Sequence, residues 1–350
     1  MIETAASAPA QNTDCNPAPE PPGSIGLDWG TTNLRAFLLG SDGAVMQQRE
    51  RPWGILSLPA PSGAGGFDQA LTGIAGDWLA AHPDIPLIAS GMVGSAQGWL
   101  EAPYLECPAG ASELSRRLAT VKTADARRLH IVPGLLLNHA DTLPDVIRGE
   151  ETQVIGALAA GPPPARDLCF VLPGTHSKWV QVRNQRIVQF ATYMTGEVFA
   201  TLKQHSILGR LMTTTVPAAG DSAAGDAAAE EATAESAAAY SKGLALARDS
   251  GPGDLLRQLF TVRSMHLAGR LPVTVLSDYL SGLLIGHELL SATAWLQRQA
   301  GADTPIVLIG ESALLTRYTA AFAASGLKTT ILGNTAAAGL HHLINLAGIR

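Results

Sequence analysis

One pattern occurs twice in this chain and limits what it can fold into. A short apolar strand runs into a turn built on Gly and Thr, and a second strand follows at once. The first copy is Ser24-Ile-Gly-Leu-Asp28, a Gly-Thr-Thr turn, then Leu34 to Leu39, with the turn signal Ser41-Asp-Gly43 behind it. The second is Leu168 to Leu172, the turn Pro173-Gly-Thr-His176, then Lys178 to Val182. Two strands joined this tightly pair as a hairpin or meander, not as a βαβ unit. One copy in each half predicts two related lobes that face each other, with the boundary near Arg148–Gly149.

Further strands are expected at Pro86 to Ala89, Leu129 to Val132 and Ile306 to Ile309. Helical periodicity covers Asp68 to Ala81, Ser112 to Leu118, Glu151 to Ala159, Gly196 to Leu202, Asp254 to Leu259, Leu276 to Gln299 and Ser312 to Ser325. Alternating strands and helices make the class α/β. The 350 residues exceed what one core usually supports, which also favours two domains. Residues 1–23 read as a disordered leader, 24–148 as an N-terminal lobe, and 149–350 as a C-terminal lobe. Residues 213–239, rich in Ala, Thr, Glu and Asp, read as a low-complexity insertion, either a solvated helix or a flexible segment.

Charge narrows the partners. The net charge of -6, with only 15% charged residues, argues against a general nucleic-acid binder. No basic segment followed by an apolar stretch opens the chain, and Tyr279 to Leu290 is too short to span a bilayer. The reading is a cytoplasmic protein with no membrane partner, its three cysteines free thiols. A homo-oligomer is left open.

Five segments carry candidate chemistry. In Leu27-Asp28-Trp-Gly-Thr-Thr-Asn-Leu-Arg35 the turn offers backbone N–H groups and hydroxyls to phosphate oxygens through Gly30, Thr31 and Thr32. Asp28, at the strand end, is a candidate Mg²⁺ holder, acting through water because that hard cation keeps several waters. In the second turn Gly174, Thr175 and His176 could clasp phosphates from the other side, and Lys178 either adds a point charge or points to solvent. Asp145-Val-Ile-Arg148-Gly149-Glu150-Glu151 packs three acids around one Arg and one Gly at a helix start. That exceeds what capping needs, and one of Glu150, Asp145 and Glu151 is a candidate base for an acceptor hydroxyl. Ser90-Gly-Met-Val-Gly-Ser95-Ala-Gln97-Gly-Trp99 suits polyol recognition, or else is a glycine-rich connection with Trp99 in the core. Finally Gly310-Glu311-Ser312, with Gly333-Asn334-Thr335 further on, could support an adenosine. Neither a G-x-x-x-x-G-K-[ST] loop nor a G-x-G-x-x-G opening a helix occurs.

Taken together these segments resemble the actin/hexokinase/Hsp70 superfamily. The stretches IGLDWGTTNLRAFLL, ASGMVGSAQGW, EAPYLECPA, DVIRGEETQVIGAL, VLPGTHSKWV, YMTGEVFATLKQHSILGRLM, LFTVRS and YLSGLLIGHEL resemble the 2-dehydro-3-deoxygalactonokinase family. The resemblance implies two ribonuclease-H-like (actin-like ATPase) lobes facing a central cleft. It also implies ATP and Mg²⁺ as cofactors, and phosphorylation of 2-dehydro-3-deoxy-D-galactonate on its terminal hydroxyl, in galactonate catabolism. Gly149-Glu150 followed by Gln153 looks like the Gly-Asp-Gln start of the second lobe in glycerol-kinase-like enzymes, whose Asp is the base; here a Glu stands there. Arg35 and Arg148 are the candidate partners of the acid's carboxylate, and Ser95, Gln97, Trp99 and Glu197 of its hydroxyls or keto group.

Overall fold

A computed structural model describes residues 21–140, 143–161, 167–212, 225–301, 303–310 and 312–350. Most of the predicted leader, residues 213–224 of the predicted insertion, and Glu311 lie outside these.

Among the described residues, fourteen strands form three sheets. The first sheet contains β1 (Pro22–Trp29), β2 (Leu34–Gly40), β3 (Val45–Arg51), β4 (Leu87–Gly91), β6 (Ala119–Lys122) and β7 (Arg128–Ile131), in the order β3-β2-β1-β4-β7-β6. The second contains β10 (Leu168–Leu172), β11 (Ser177–Arg183), β12 (Arg186–Tyr193), β13 (Ile306–Ile309) and β14 (Thr329–Leu332), in the order β12-β11-β10-β13-β14. In each sheet three antiparallel strands are followed by two parallel ones. The duplicated strand–turn–strand motif therefore begins two sheets of the same ribonuclease-H-like order, as expected from the sequence. A small third sheet joins β5 (Leu105–Glu106), β8 (Leu135–Leu137) and β9 (Asp145–Ile147).

The helices are α1 (Gly66–Ala81), α2 (Ala111–Ser115), α3 (Glu150–Ala159), α4 (Thr195–His205), α5 (Gly209–Met212), α6 (Gly225–Arg248), α7 (Asp254–Leu259), α8 (Thr261–Leu267), α9 (Leu276–Ala300), α10 (Ser312–Ala324) and α11 (Ala336–Leu346). Strand β1 begins at Pro22, inside the last two residues of the predicted leader. Residues 225–239 of the predicted insertion lie in α6, where 232–235, 237 and 238 are exposed as a solvated helix would be; burial against α9 begins at Ala239 and Tyr240.

Burial explains the central strands. Ile25, Leu27 and Trp29 of β1 join α1 residues Phe67, Leu71 and Ile74 in one core. The opposite face of that sheet meets a different cover. Phe37, Leu39 and Ile88 pack with Leu340, Leu343 and Ile344 of α11, and the same core includes Val154 and Ile155 of α3 and Phe170 of β10. Helix α11 thus follows β14 of the second sheet in sequence but packs against the first sheet.

Candidate active site

A cavity of about 650 Å³ lies between the ends of the two sheets. Its lining includes Asp28, Gly30, Thr31 and Arg35 from the first motif and Gly174, Thr175, His176 and Lys178 from the second. Arg148, Gly149 and Glu150 line it at the start of α3, and Gly310, Ala313 and Leu314 at the start of α10. All five sequence segments thus meet around one space, the fourth only through Gly91 and Met92. Its volume suits a small-molecule site.

The first turn is braced from outside. The carbonyls of Gly30, Thr31 and Thr32 accept from the backbone N–H groups of Ile55, Leu56 and Gly54, at 3.1, 3.2 and 2.8 Å. A Cβ on Gly54 would stand 2.2 Å from the Thr31 backbone, so only glycine admits this approach. Trp29 adds a bond from its indole Nε1 to the Trp53 carbonyl, 2.8 Å. Sequence reading missed Trp53 to Leu56, since a Trp-Gly in a loop carries no signal until its partner turn is known.

Asp28 stands opposite Arg35 in the β1–β2 register, with Nη1 3.8 Å from Oδ2, and Arg35 Nε lies 3.3 Å from Glu50. Burial pushes the Asp28 pKa up, and the neighbouring Glu150 and Glu50 push the same way. Arg35 and a hydrogen bond from Asn334 pull it down without cancelling the rise. Asn334, at the end of the loop leading into α11, therefore serves Asp28, whereas the sequence segment containing it was read as adenosine support.

The three candidate bases separate cleanly. Asp145 is committed to backbone: its carboxylate accepts from Val146 N at 2.7 Å and from the N and Oγ1 of Thr192 at 2.7 and 2.8 Å, pinning β9 to β12. It does not line the cavity. Asp145→Asn should lower stability by about 1–3 kcal/mol, because an amide turns an N–H toward a donor. The measurement is a denaturant titration beside kcat, and kcat should hold within about threefold because the group lies away from the cavity.

Glu151 is fully buried and turned inward. Its Oε2 accepts from Gly149 N at 2.7 Å and its Oε1 from Thr152 Oγ1 at 3.0 Å. Burial first, and the charge of Glu150 second, raise its pKa to about 7 from an ordinary 4.5. Between those values the folded chain holds a proton that the unfolded chain has lost. Glu151's contribution to stability is therefore full below about pH 4.5 and lost as pH rises through about 7. Denaturation of Glu151→Gln at mildly acidic and mildly alkaline pH should show a smaller loss with rising pH than the parent shows.

Glu150 is the acid that faces the cavity. Its Oε2 accepts from Arg148 N at 3.0 Å, and its Oε1 lies 3.0 Å from Lys178 Nζ. Lys178 is buried and also donates to the His176 carbonyl at 2.8 Å. Of the two sequence readings of Lys178, solvent exposure is the one the structure overturns. Gly149, at φ 110°, sets up this helix start, with a Cβ there falling 3.1 Å from Gly91 Cα.

The remaining predicted residues divide. Arg148 lines the cavity, yet its guanidinium lies over the Tyr104 ring and donates through Nη2 to the Ala102 carbonyl at 2.8 Å. His176 pairs through Nε2 with Glu197, whose own backbone N–H holds the Thr175 carbonyl at 2.9 Å. Glu197 therefore braces the second turn and does not line the cavity. Ser95, Gln97 and Trp99 are not brought to it either. Ser95 Oγ donates to the Met92 carbonyl at 2.8 Å, Gln97 is exposed, and Trp99 stacks on Phe67 with ring centroids 5.5 Å apart. Trp99 meets Trp29 edge-on, so its ring belongs to the core. Thr32 sits at the exposed tip of the first turn, and Ser312 opens α10 beside Gly310.

Among the described residues no group of three or more His, Cys, Asp and Glu side chains could hold a metal by itself. No helix is long and apolar enough to cross a membrane among those residues.

Comparison with known proteins agrees with this geometry. The model of the 2-keto-3-deoxy-galactonokinase family matches residues 28–343. The 2-dehydro-3-deoxygalactonokinase of Escherichia coli (strain K12) is 38% identical over 313 residues, 89% of this chain and 94% of that one. A crystal structure from Sinorhizobium meliloti, provisionally described as a 2-dehydro-3-deoxygalactonokinase, superposes with a TM-score of 0.75 at 32% identity. That match covers 92% of this chain and 98% of the other. A family match running through both turns, the acidic helix start and α10 leaves one conclusion: this chain belongs to the 2-keto-3-deoxy-galactonokinase family.

Proposed function

We propose that this chain transfers the γ-phosphoryl group of ATP to the terminal hydroxyl of 2-dehydro-3-deoxy-D-galactonate, giving the 6-phosphate in galactonate catabolism. The observation that carries the mechanism is Glu150, the one of three rival acids that faces a cavity walled by two opposed Gly-Thr turns. Family membership supplies the substrate class.

In this reading the chain divides into two lobes at Arg148–Gly149. Gly30 to Thr32 and Gly174 to His176 bind phosphate oxygens from opposite sides, and Gly310 with Ala313 and Leu314 supports the adenosine. Asp28 holds Mg²⁺ through water. Its place at a strand end, with no group of three or more His, Cys, Asp and Glu side chains among the described residues to complete a protein cage, fits a cation that keeps waters and phosphate oxygens as most of its ligands. That ion, when bound, neutralises charge on the phosphates.

Glu150 accepts the proton of the acceptor hydroxyl and orients its oxygen toward the phosphorus. Lys178, 3.0 Å from Glu150 and bonded to the second turn, holds that carboxylate in place and adds positive charge beside the transferred group. Arg35 and Arg148, two guanidinium groups lining the cavity, face the carboxylate end of the acid. Most of the acceleration comes from positioning and from neutralising charge. The reaction belongs in the cytoplasm, where ATP is available.

The test is ADP release from purified protein with Mg·ATP, comparing 2-dehydro-3-deoxy-D-galactonate, its gluconate epimer, galactonate and no acceptor. Rapid release with the first acid alone supports the assignment. Equal rates on the two epimers would remove the stereochemical part. No release above the blank, from protein that binds ATP, would remove the catalytic reading.

A further inference from the structure

The mechanism leaves a buried carboxylate unused. Glu288, on α9, is 3% exposed and lies behind the second turn, outside the cavity. Its two oxygens are shared between two elements. Oε1 accepts from Trp179 Nε1 of β11 at 2.9 Å, and Oε2 accepts from Tyr318 Oη of α10 at 2.6 Å. Tyr318 Oη in turn lies 2.7 Å from Ser177 Oγ, and the hydroxyls of Ser177 and Thr195 also stand within reach of the carboxylate. Ser177, Trp179 and Tyr318 are each at most 1% exposed.

Where these partners sit gives the arrangement its meaning. Ser177 directly follows His176, the last residue of the second turn, and Thr195 opens α4, whose Glu197 N–H holds the Thr175 carbonyl. Tyr318 belongs to α10, whose first turn, Ala313 and Leu314, lines the cavity beside Gly310. One carboxylate thus ties the exit of the phosphate turn to the helix at the adenosine end.

The donor directions follow from chemistry. An indole N–H can only donate, so Trp179 fixes Oε1 as an acceptor. Tyr318 Oη donates to Oε2, which leaves its own oxygen to accept from Ser177. Every member is satisfied, and buried chains of this kind hold a single arrangement.

We infer that Glu288 is a positioning residue for the nucleotide: through Tyr318 and Ser177 it fixes the spacing between the second phosphate turn and the adenosine-supporting start of α10. It touches no reacting atom. The inference rests on the nucleotide half of the function proposed above and not on which acid is phosphorylated.

Tyr318→Phe removes one hydroxyl, so Glu288 loses a donor and Ser177 an acceptor, while ring volume and the Trp179 bond remain. Glu288→Gln keeps the shape but must present an N–H to Tyr318, which reverses the chain and leaves the Ser177 proton without its acceptor. Phe322→Leu is the control. Phe322 packs on Trp179 in the same core, with ring centroids 5.5 Å apart, and its ring holds no part of the chain.

The experiment is isothermal titration of the full chain with Mg·ADP, together with Tm and KM for the sugar acid. Expected is a threefold or larger loss of Mg·ADP affinity in both Tyr318→Phe and Glu288→Gln. KM for the acid should stay within twofold, and Phe322→Leu should bind Mg·ADP like the parent despite a comparable or larger fall in Tm. Should Glu288→Gln fail to fold, Tyr318→Phe decides alone. Loss below threefold in Tyr318→Phe, or an equal loss in Phe322→Leu, overturns the inference. A parent that binds Mg·ADP yet phosphorylates none of the acids removes the proposed activity while leaving this inference to stand or fall on affinity; a parent that does not bind Mg·ADP removes both.

Discussion

Glu150→Gln should lower kcat by about 10²- to 10⁴-fold, the span that a positioned general base usually contributes. The substitution keeps the size of the side chain, so the cavity retains its shape. What goes is the basic oxygen facing the cavity and the charge opposite Lys178 Nζ, 3.0 Å away in the parent. The bond that Oε2 accepts from Arg148 N can be kept by the amide oxygen, so the start of α3 should survive. KM for ATP should accordingly change little, and the KM-against-kcat split is the measurement that matters. A Glu150→Gln enzyme turning over within tenfold of the parent would return the base to the other acids. Asp145 is the harder one to revive, because both its oxygens already accept from Val146 and Thr192, away from the cavity.

Asp28→Ala should cost about 10²- to 10³-fold in kcat at saturating substrates, the scale seen when one preorganised charge-stabilising group is removed. The carboxylate is held in a costly state, with burial raising its pKa while Arg35 and Asn334 oppose the rise. A charge kept under such conditions at the mouth of a phosphate turn fits a group whose partner is a cation. The loss should therefore shrink as Mg²⁺ is raised, and calorimetric affinity for the sugar acid should stay within about threefold. Near-parental turnover would take Asp28 out of the site. Parallel loss of acid affinity would instead mean that Arg35, released from its cross-strand partner, had shifted.

What sequence made legible was local. The apolar strand, the Gly-Thr turn and the second strand lie within fifteen residues of one another, so both hairpins could be read without tertiary knowledge. The long periodic helices α1 and α9 were equally plain. Strand β3 was not, since Val45 to Arg51 are almost all exposed and show no alternation; pairing with β2 makes it a strand. Strand β9 is three residues long, too short for any pattern, yet it delivers Arg148, Gly149 and Glu150 to the cavity. The site suffered the same limit. Trp99 beside small polar residues reads like a sugar platform, and only the placement of Trp29 and Phe67 makes it core. Gly54, Asn334 and the Lys178–Glu150 pair act across sequence separations that no spacing rule reaches.

Helix α11 makes the first sheet wait for the end of synthesis to be covered. The first sheet, β14 and the Asp28 turn all precede α11 in the chain, yet Leu340, Leu343 and Ile344 cover that sheet and Asn334 bonds Asp28. A ribosome that has finished the first sheet has made an open-faced structure whose Asp28 carboxylate lacks one of its partners. Until α11 emerges, the apolar face of Phe37, Leu39 and Ile88 stays uncovered and available to chaperones. A nascent chain that stops short of α11 therefore leaves this face open, however much of both Gly-Thr turns it already contains.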